Sequence, residues 1–407
     1  MRTVFANLSA ELKQYLVITA NYWAFTLTDG ALRMLVVLYF HQLGYSALEV
    51  AFLFLFYEFF GVVTNLLGGW LGALLGLNRT MNIGLLMQVI ALLMLAVPND
   101  FLIIPWVMFA QALSGIAKDL NKMSAKSAIK LFVSDERPGT LYKWVAILTG
   151  SKNTLKGVGF FLGGALLTLI GFRNSLLLMA AMLFIVWCIS LLLLKKDLGR
   201  IKRKVKFKEL FSKSASVNIL SVARLFLFAS RDVWFVVALP VYLSDTFGWN
   251  GWTVGGLLAL WIIFYGGIQS LAPYFTGKQA GRIPDGKSAV LWAAGLAAAP
   301  LLVVLSLHFE SHLFIAGLFL FGGLFAINSS LHSYLIVSYA QREGVSLDIG
   351  FYYMANALGR LIGTLLSGWI FINLGLTACL LVSTLFIAIA GGISLFLPRH
   401  ALRTRRD

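Results

Sequence analysis

The sequence predicts an all-α polytopic membrane protein, with twelve transmembrane helices arranged as two pseudo-symmetric six-helix bundles. Three observations predict it. Hydrophobic residues make up 59% of the 407 and charged residues only 12%, where a soluble chain carries about 25% charged residues. Twelve segments are each long and apolar enough to cross a bilayer. Similar features also recur at an offset of about 204 residues.

A helix needs about 20 mostly apolar residues to span the hydrocarbon core. The segments that qualify are 15–39, 47–71, 80–97, 101–125, 142–170, 172–194, 215–243, 252–276, 288–307, 313–339, 349–374 and 377–397. Each is expected to be a helix, because lipid offers no partner for unpaired backbone groups and the alternation of a barrel strand is missing. The first fourteen residues hold Glu11 and Lys13 and no apolar core, so they do not read as a cleaved signal peptide.

Loop charge sets the expected orientation. One set of loops and tails holds Arg2, Lys13, Arg79, Arg137, the run from Lys195 to Lys213, Lys278, Arg282, Lys287, Arg342 and Arg399 to Arg406. Of the alternate loops, five carry no Lys or Arg and the sixth has only Arg173. Both termini are therefore expected in the cytoplasm, and much of the +16 net charge is this topogenic bias. Nucleic acid is not the expected partner, because the basic run lies between spans and not on a folded domain. Contact of 195–213 with anionic lipid head groups is the expected structural role.

The same run divides the chain into an N-terminal bundle (1–194), a basic cytoplasmic linker (195–214) and a C-terminal bundle (215–407). Asp29 and Tyr39 fall on Asp232 and Tyr242, Phe59 and Gly61 on Phe264 and Gly266, and Lys156, Gly159 and Gly164 on Arg360, Gly363 and Gly368, at offsets of 203, 205 and 204. Two parallel six-helix halves with a long linker resemble the major facilitator superfamily. That likeness implies a small-molecule transporter whose substrate binds between the halves near mid-membrane. The superfamily's loop after the second span is degenerate here. Gly69, Gly72, Gly76 and Arg79 are present, but Ala73 stands where an acidic residue is usual, so the usual charge latch is in question. Gly159-Phe160-Phe161-Leu162-Gly163-Gly164 resembles the fifth-helix motif of antiporters, with Phe160 in place of Pro. The glycines also read simply as points of close helix packing.

Ionisable groups inside spans carry the functional signal. The deeper basic set is Arg33, Lys118, Lys152, Lys156, Arg224, Arg231 and Arg360; the acidic set is Asp29, Glu58, Asp119 and Asp232. Each costs about 2.5–3.5 kcal/mol at a helix centre, so seven basic groups cost on the order of 20 kcal/mol before pairing. Seven against four leaves a positive surplus, and the central cavity implied by the family is expected to be electropositive. Asp29 and Arg33 share a helix face at i,i+4. Lys118, Lys122, Lys126 and Lys130 form one stripe, with the last two expected to snorkel toward the interface. Lys118 and Lys152 have two readings, a structural pair with Asp119 or Glu58 or a substrate contact.

The superfamily likeness places Arg33, Lys118 and Arg231 on the cavity lining, with Lys156 and Arg360 as a pseudo-symmetric pair beside it. The expected substrate-binding set is Arg33, Lys118, Lys122, Lys152, Lys156, Arg231 and Arg360. A phosphate monoester matches it, since Arg engages its oxygens bidentately and Lys supplies adaptable point charge. For proton coupling the expected carriers are Asp29, Glu58, Asp119 and Asp232, in the preference Asp29, then Asp119, then Glu58. The expected cycle has anion and proton alternating on one basic–acidic cluster as antiport.

Other signals lead elsewhere. Gly281 to Ser288 spells a phosphate-binding loop but fills a short gap between spans, so ATP is not the expected energy source. His308, Glu310 and His312 in a short loop do not suffice for a metal, and no cofactor is expected. Asn328, Ser329, Ser330, His332 and Tyr334 either donate to a substrate or bridge helices. Cys188 and Cys379 lie in separate spans and offer neither a disulfide nor a thiol cluster. An enzyme is not expected, because no nucleophile–base pair stands at usable spacing, and a receptor would need an appended domain.

Three stretches carry a closer resemblance: Asn21-Tyr22-Trp23-Ala24-Phe25-Thr26-Leu27-Thr28-Asp29-Gly30, Phe54-Leu55-Phe56-Tyr57-Glu58-Phe59-Phe60-Gly61, and Ser114 to Ser127. They are similar to ArsJ-type organoarsenical efflux permeases. That resemblance implies a bacterial inner (cytoplasmic) membrane, export of 1-arseno-3-phosphoglycerate by proton antiport, arsenate resistance, and a functional link to the glyceraldehyde-3-phosphate dehydrogenase that makes the ester. The alternative is an organophosphate or sugar-acid uptake or exchange permease of the same superfamily.

Overall fold

The structure is a computed structural model that describes residues 10–45, 53–133, 138–194, 198–200, 214–249, 251–276, 283–307 and 311–399. The described residues form helices and no strand. In chain order these are α1 (Ala10–Gln42), α2 (Leu55–Leu75), α3 (Leu77–Leu95) and α4 (Ile104–Phe132). α5 (138–170) and α6 (172–193) meet at Gly171, and α7 is broken into Ala215–Phe235 and Ala238–Phe247. Then follow α8 (Gly251–Phe275), α9 (Gly286–Ser306) and α10 (Ser311–Tyr339), and α11 (345–374) meets α12 (376–394) at Gly375.

Eight stretches are long and apolar enough to cross a membrane. Two of them are double, broken at Gly171 and Gly375, which makes ten spans. The other two are α4 and α7, long enough but interrupted by Lys118, Asp119 and Lys122 and by Arg224, Arg231 and Asp232. Twelve spans result, and apolar side chains on their outer surfaces suit lipid: Leu192, Ile372 and Leu169 are 85%, 83% and 78% exposed.

The repeat is written into the backbone. Gly171 has φ 77° and ψ 174°, and Gly375, 204 residues later, has φ 77° and ψ −178°. An L side chain is strained at positive φ, so each half uses glycine to turn from its fifth helix into its sixth. Gly76, with φ 90°, does the same between α2 and α3. Close helix contacts repeat as well. A Cβ on Gly159 of α5 would stand 2.6 Å from the Leu27 carbonyl of α1, and one on Gly363 of α11 would stand 2.8 Å from the Ala229 carbonyl of α7. Those partners are 202 residues apart.

The chain clusters into two compact units. The first holds 1–136, 151–212 and 340–354, and the second holds 137–150, 213–339 and 355–407. The first is packed through small residues. Gly115 meets the Tyr57 backbone, Gly61 meets the Asp119 carboxylate, and Gly69 of α2 lies against Gly350 of α11. Ala73, in place of the usual acidic residue, is fully buried and packs on Leu347, so an apolar contact replaces a charged one. The second unit is packed through aromatics. Trp234 meets Phe321 edge-on at 4.9 Å, and Trp261 stacks on Tyr265 at 5.6 Å.

One local expectation changes and another gains its reason. The phosphate-loop string, set aside as a short gap between spans, serves as a helix cap, with Asp285 accepting from the Ser288 backbone N–H at 3.1 Å to start α9. α4 runs to Phe132, about two turns beyond the expected end at 125, and Lys126 and Lys130 are buried in place of snorkelling. Most of the basic run 195–213, and His308 with Glu310, lie outside the described residues.

Candidate functional site

In the first unit the charges gather on α1, α2, α4 and α5. Arg33 reaches across from α1 to Glu58 of α2, Nη2 to Oε1 at 2.9 Å. The expected i,i+4 partner, Asp29, instead accepts a hydrogen bond from the Tyr57 hydroxyl at 2.7 Å. The reason is reach. The long guanidinium crosses to the next helix, while the short Asp29 side chain stays near its own backbone and takes the donor that faces it. Tyr57 is the hub of the cluster. Its ring also carries the Lys118 ammonium at 3.8 Å and the Arg33 guanidinium at 4.8 Å, contacts worth about 0.5–2 kcal/mol each.

Asp119 is 1% exposed and pairs with Lys122, one turn along α4, at 2.6 Å. Lys118, its immediate neighbour, points elsewhere because consecutive helical residues diverge by about 100°. Lys122 also stands 4.7 Å from the ring of Tyr353 at the start of α11. On α5, Lys152 and Lys156 are half-buried one turn apart, and Lys156 lies within electrostatic reach of Asp29 and Arg33. Among the described residues, no ion pair holds Lys118 or Lys156.

In the second unit one carboxylate serves two guanidiniums. Asp232, fully buried, accepts from Arg231 Nε at 2.6 Å and from Arg360 Nε at 3.0 Å. Arg231 is surrounded by Phe228 at 5.1 Å and Phe325 at 5.4 Å. Arg224 lies one helical stretch before it, 3.9 Å over Phe228, donating to Asn356 Oδ1 at 2.9 Å and to the Ser329 carbonyl at 3.1 Å. The polar patch of α10 bridges helices. Ser329 Oγ accepts from Gln269 of α8 at 3.0 Å, and Asn328 donates to the Trp292 carbonyl of α9 at 2.9 Å. Ser330, His332 and Tyr334 are buried with it.

The expected residues thus fall into two sets. Asp29, Arg33, Glu58, Lys118, Asp119, Lys122, Lys152 and Lys156 gather in the first unit, and Arg231, Asp232 and Arg360 in the second. Sequence reading missed Tyr57, Tyr353, Phe228 and Phe325. The only signal for Tyr57 was its position beside Glu58 in an aromatic run, and aromatics in spans are too common to single out. Among the described residues no group of His, Cys, Asp and Glu could hold a metal ion.

The profile of the Major Facilitator Superfamily matches residues 16–284. No curated protein matches the sequence. Solved structures share the fold at low identity. The human organic anion transporter MFSD10 (TETRAN) is 17% identical with a TM-score of 0.76, over 95% of this chain and 100% of that one. A bacterial homologue of the iron transporter ferroportin is 14% identical with a TM-score of 0.71, over 95% and 99%. The E. coli fucose:proton symporter FucP is 11% identical with a TM-score of 0.73, over 95% and 99%. With two-thirds of its length matched by one profile and its whole architecture shared with these transporters, the chain belongs to the Major Facilitator Superfamily.

Proposed function

We propose that this transporter exports an organic arsenate or phosphate ester anion, specifically 1-arseno-3-phosphoglycerate, and so confers arsenate resistance. The observation that carries the anionic class is the charge balance at bilayer depth. In the first unit Arg33, Lys118, Lys122, Lys152 and Lys156 outnumber Asp29, Glu58 and Asp119 by five to three. In the second, Arg224, Arg231 and Arg360 outnumber Asp232 by three to one. Arg33, Lys122, Arg231 and Arg360 already have carboxylate partners, the last two sharing Asp232, so the surplus includes that shared site together with Lys118 and Lys156. A surplus at that depth is stable only beside water or a counter-ion, and a cargo with an oxyanion at each end supplies one. The arsenical itself is supported by the likeness of Asn21–Gly30, Phe54–Gly61 and Ser114–Ser127 to organoarsenical efflux permeases. MFSD10 is described as an organic anion transporter, which agrees in class, but at 17% identity it speaks for the fold alone.

With both termini in the cytoplasm of a bacterial inner membrane, the membrane potential favours anion export. Each elementary charge contributes about 2.3 kcal/mol per 100 mV, so two net charges support a gradient of about three powers of ten. Imported protons are therefore not required for efflux.

The test uses inverted membrane vesicles supplied with glyceraldehyde-3-phosphate dehydrogenase, glyceraldehyde 3-phosphate, NAD and arsenate. Arsenic should accumulate inside, and Arg33→Ala and Arg231→Ala should each reduce the rate at least about tenfold while the protein still inserts. Exchange of 3-phosphoglycerate without any arsenic accumulation would establish the organophosphate permease reading instead.

A further inference from the structure

One carboxylate in the first unit differs from the rest. Asp29 is held by the Tyr57 hydroxyl, Glu58 by Arg33, and Asp232 by two arginines. Asp119 has Lys122 on Oδ1, while Oδ2 is buried and accepts no hydrogen bond among the described residues. Oδ2 faces Gly61 of α2, where an added Cβ would stand 3.0 Å away. The missing side chain is what leaves that oxygen room. Lys122 is poised between two neighbours, the Asp119 carboxylate at 2.6 Å and the Tyr353 ring at 4.7 Å. The ionisable groups within reach of the pair are Tyr22 on α1, Lys118 on α4 itself and Tyr353 on α11, and Lys126, one turn further along α4, is buried 5.6 Å from the same Tyr353 ring. Asp29, Arg33, Tyr57, Glu58 and Lys156 form the neighbouring cluster.

We infer that Asp119 and Lys122 form the proton switch of the transporter, in which a proton taken up on Asp119 Oδ2 releases Lys122 to bind the anion. This rests on the reading of the cargo as an organic anion. In the step, hydronium gives its proton to Oδ2 and leaves as water, an O–H bond forms on the carboxyl group, and Lys122 Nζ loses its anionic partner at Oδ1. The ammonium keeps its own proton and turns toward the cargo. Without proton or anion, Asp119 and Lys122 neutralise each other. With anion alone, Lys122 is drawn away and a bare carboxylate is left 1% exposed. With both, every charge is again matched.

Linkage fixes the sign. If the proton makes Lys122 available to the anion, the anion equally favours the proton. Proton and anion therefore bind together, which reverses the alternation expected from the sequence. The proton leaves with the anion, and export is drawn by the remaining negative charge of a multiply charged cargo.

Infrared difference spectra of the full-length protein in liposomes, taken between neutral and acidic pH without cargo, test the switch directly. A protonated-carboxyl band should appear on acidification and lose one component in Asp119→Asn. Gly61→Ala, which retains the ion pair but sets a methyl group against Oδ2, should shift or weaken the same component. It serves also if Asp119→Asn does not fold. A spectrum unchanged in these variants overturns the switch. In liposomes holding a pH dye and given a membrane potential, entry of 1-arseno-3-phosphoglycerate should acidify the lumen beyond the acid that hydrolysis of the ester itself releases there, and Asp119→Asn should reduce the change to that hydrolysis signal. A lumen that turns alkaline as arsenic enters overturns the inferred direction. Absence of arsenic entry with the carboxyl component intact overturns the cargo and leaves the switch standing.

Discussion

The two units place the same pair of positions in the same setting and fill them differently. In the second unit Arg360 of α11 donates to Asp232 of α7 at 3.0 Å, and Arg231 completes the site from the other side. In the first, the equivalents are Lys156 of α5 and Asp29 of α1. Here the carboxylate takes a tyrosine hydroxyl, and among the described residues no ion pair holds the lysine. The helix contact beneath is conserved across the repeat, through Gly159 in one unit and Gly363 in the other. The chemistry therefore follows the side chain and not the scaffold. A guanidinium stays charged and grips a carboxylate in a planar fork, whereas an ammonium is a compact charge on a flexible stem. The second unit holds a fixed positive platform. The first contains Lys118 and Lys156, which no ion pair holds among the described residues, and the inferred switch at Asp119 lies in it.

Breaking the fixed platform should have the largest effect. Asp232→Asn removes the buried carboxylate charge that Arg231 and Arg360 share. Deleting one partner of a buried pair costs about 3–5 kcal/mol. The expected outcome is a clear loss of thermal stability of the purified protein in detergent, together with loss of transport. A melting temperature within a degree or two of wild type would show that the two arginines find other anions and that the platform is not fixed.

The comparison can also be sharpened by making the units alike. Lys156→Arg gives the first unit the residue of the second, with reach enough to take Asp29. Anion binding should survive, because the charge is retained, while turnover should fall at least about tenfold, equivalent to about 1.4 kcal/mol, as a movable cation becomes a fixed one. Binding of 3-phosphoglycerate by calorimetry, set against vesicle flux, separates the two. Equal flux would mean that the difference between Lys156 and Arg360 carries no function.

The sequence made the architecture legible because lipid imposes it. Twelve apolar segments follow from length and composition alone, and the offset linking Asp29 to Asp232 and Lys156 to Arg360 anticipated the repeat seen at Gly171 and Gly375. Side-chain partners were less legible. Helical spacing ties Asp29 to Arg33, yet Arg33 pairs across to Glu58 and Arg360 across to Asp232, while Lys122 to Asp119 and Arg231 to Asp232 do pair within one helix. Spacing along one helix says nothing about which neighbour faces it. Lys126 and Lys130 show the same limit from the other side. Charge near a span's end predicts snorkelling, but α4 continues and buries both. Tyr57 was invisible because its role depends on Asp29, Arg33 and Lys118 converging on one ring from two other helices.

Tyr57 gives the smallest and most discriminating test. Tyr57→Phe keeps the ring under Lys118 and Arg33 and deletes only the hydroxyl that donates to Asp29 at 2.7 Å. A hydrogen bond to a charged group contributes about 1.5–3 kcal/mol, less whatever new partner the carboxylate gains. Arg33 and Lys156 are the cations within electrostatic reach. Arg33 is already held by Glu58, so Asp29 should turn to Lys156 and recover most of that energy. Stability should change by about 1 kcal/mol or less, while transport slows as Lys156 becomes engaged. Combining Tyr57→Phe with Lys156→Arg should then add little further loss of flux, because both remove the same freedom. Fully additive losses would place Tyr57 and Lys156 in separate roles and dissolve the parallel between Asp29 and Asp232.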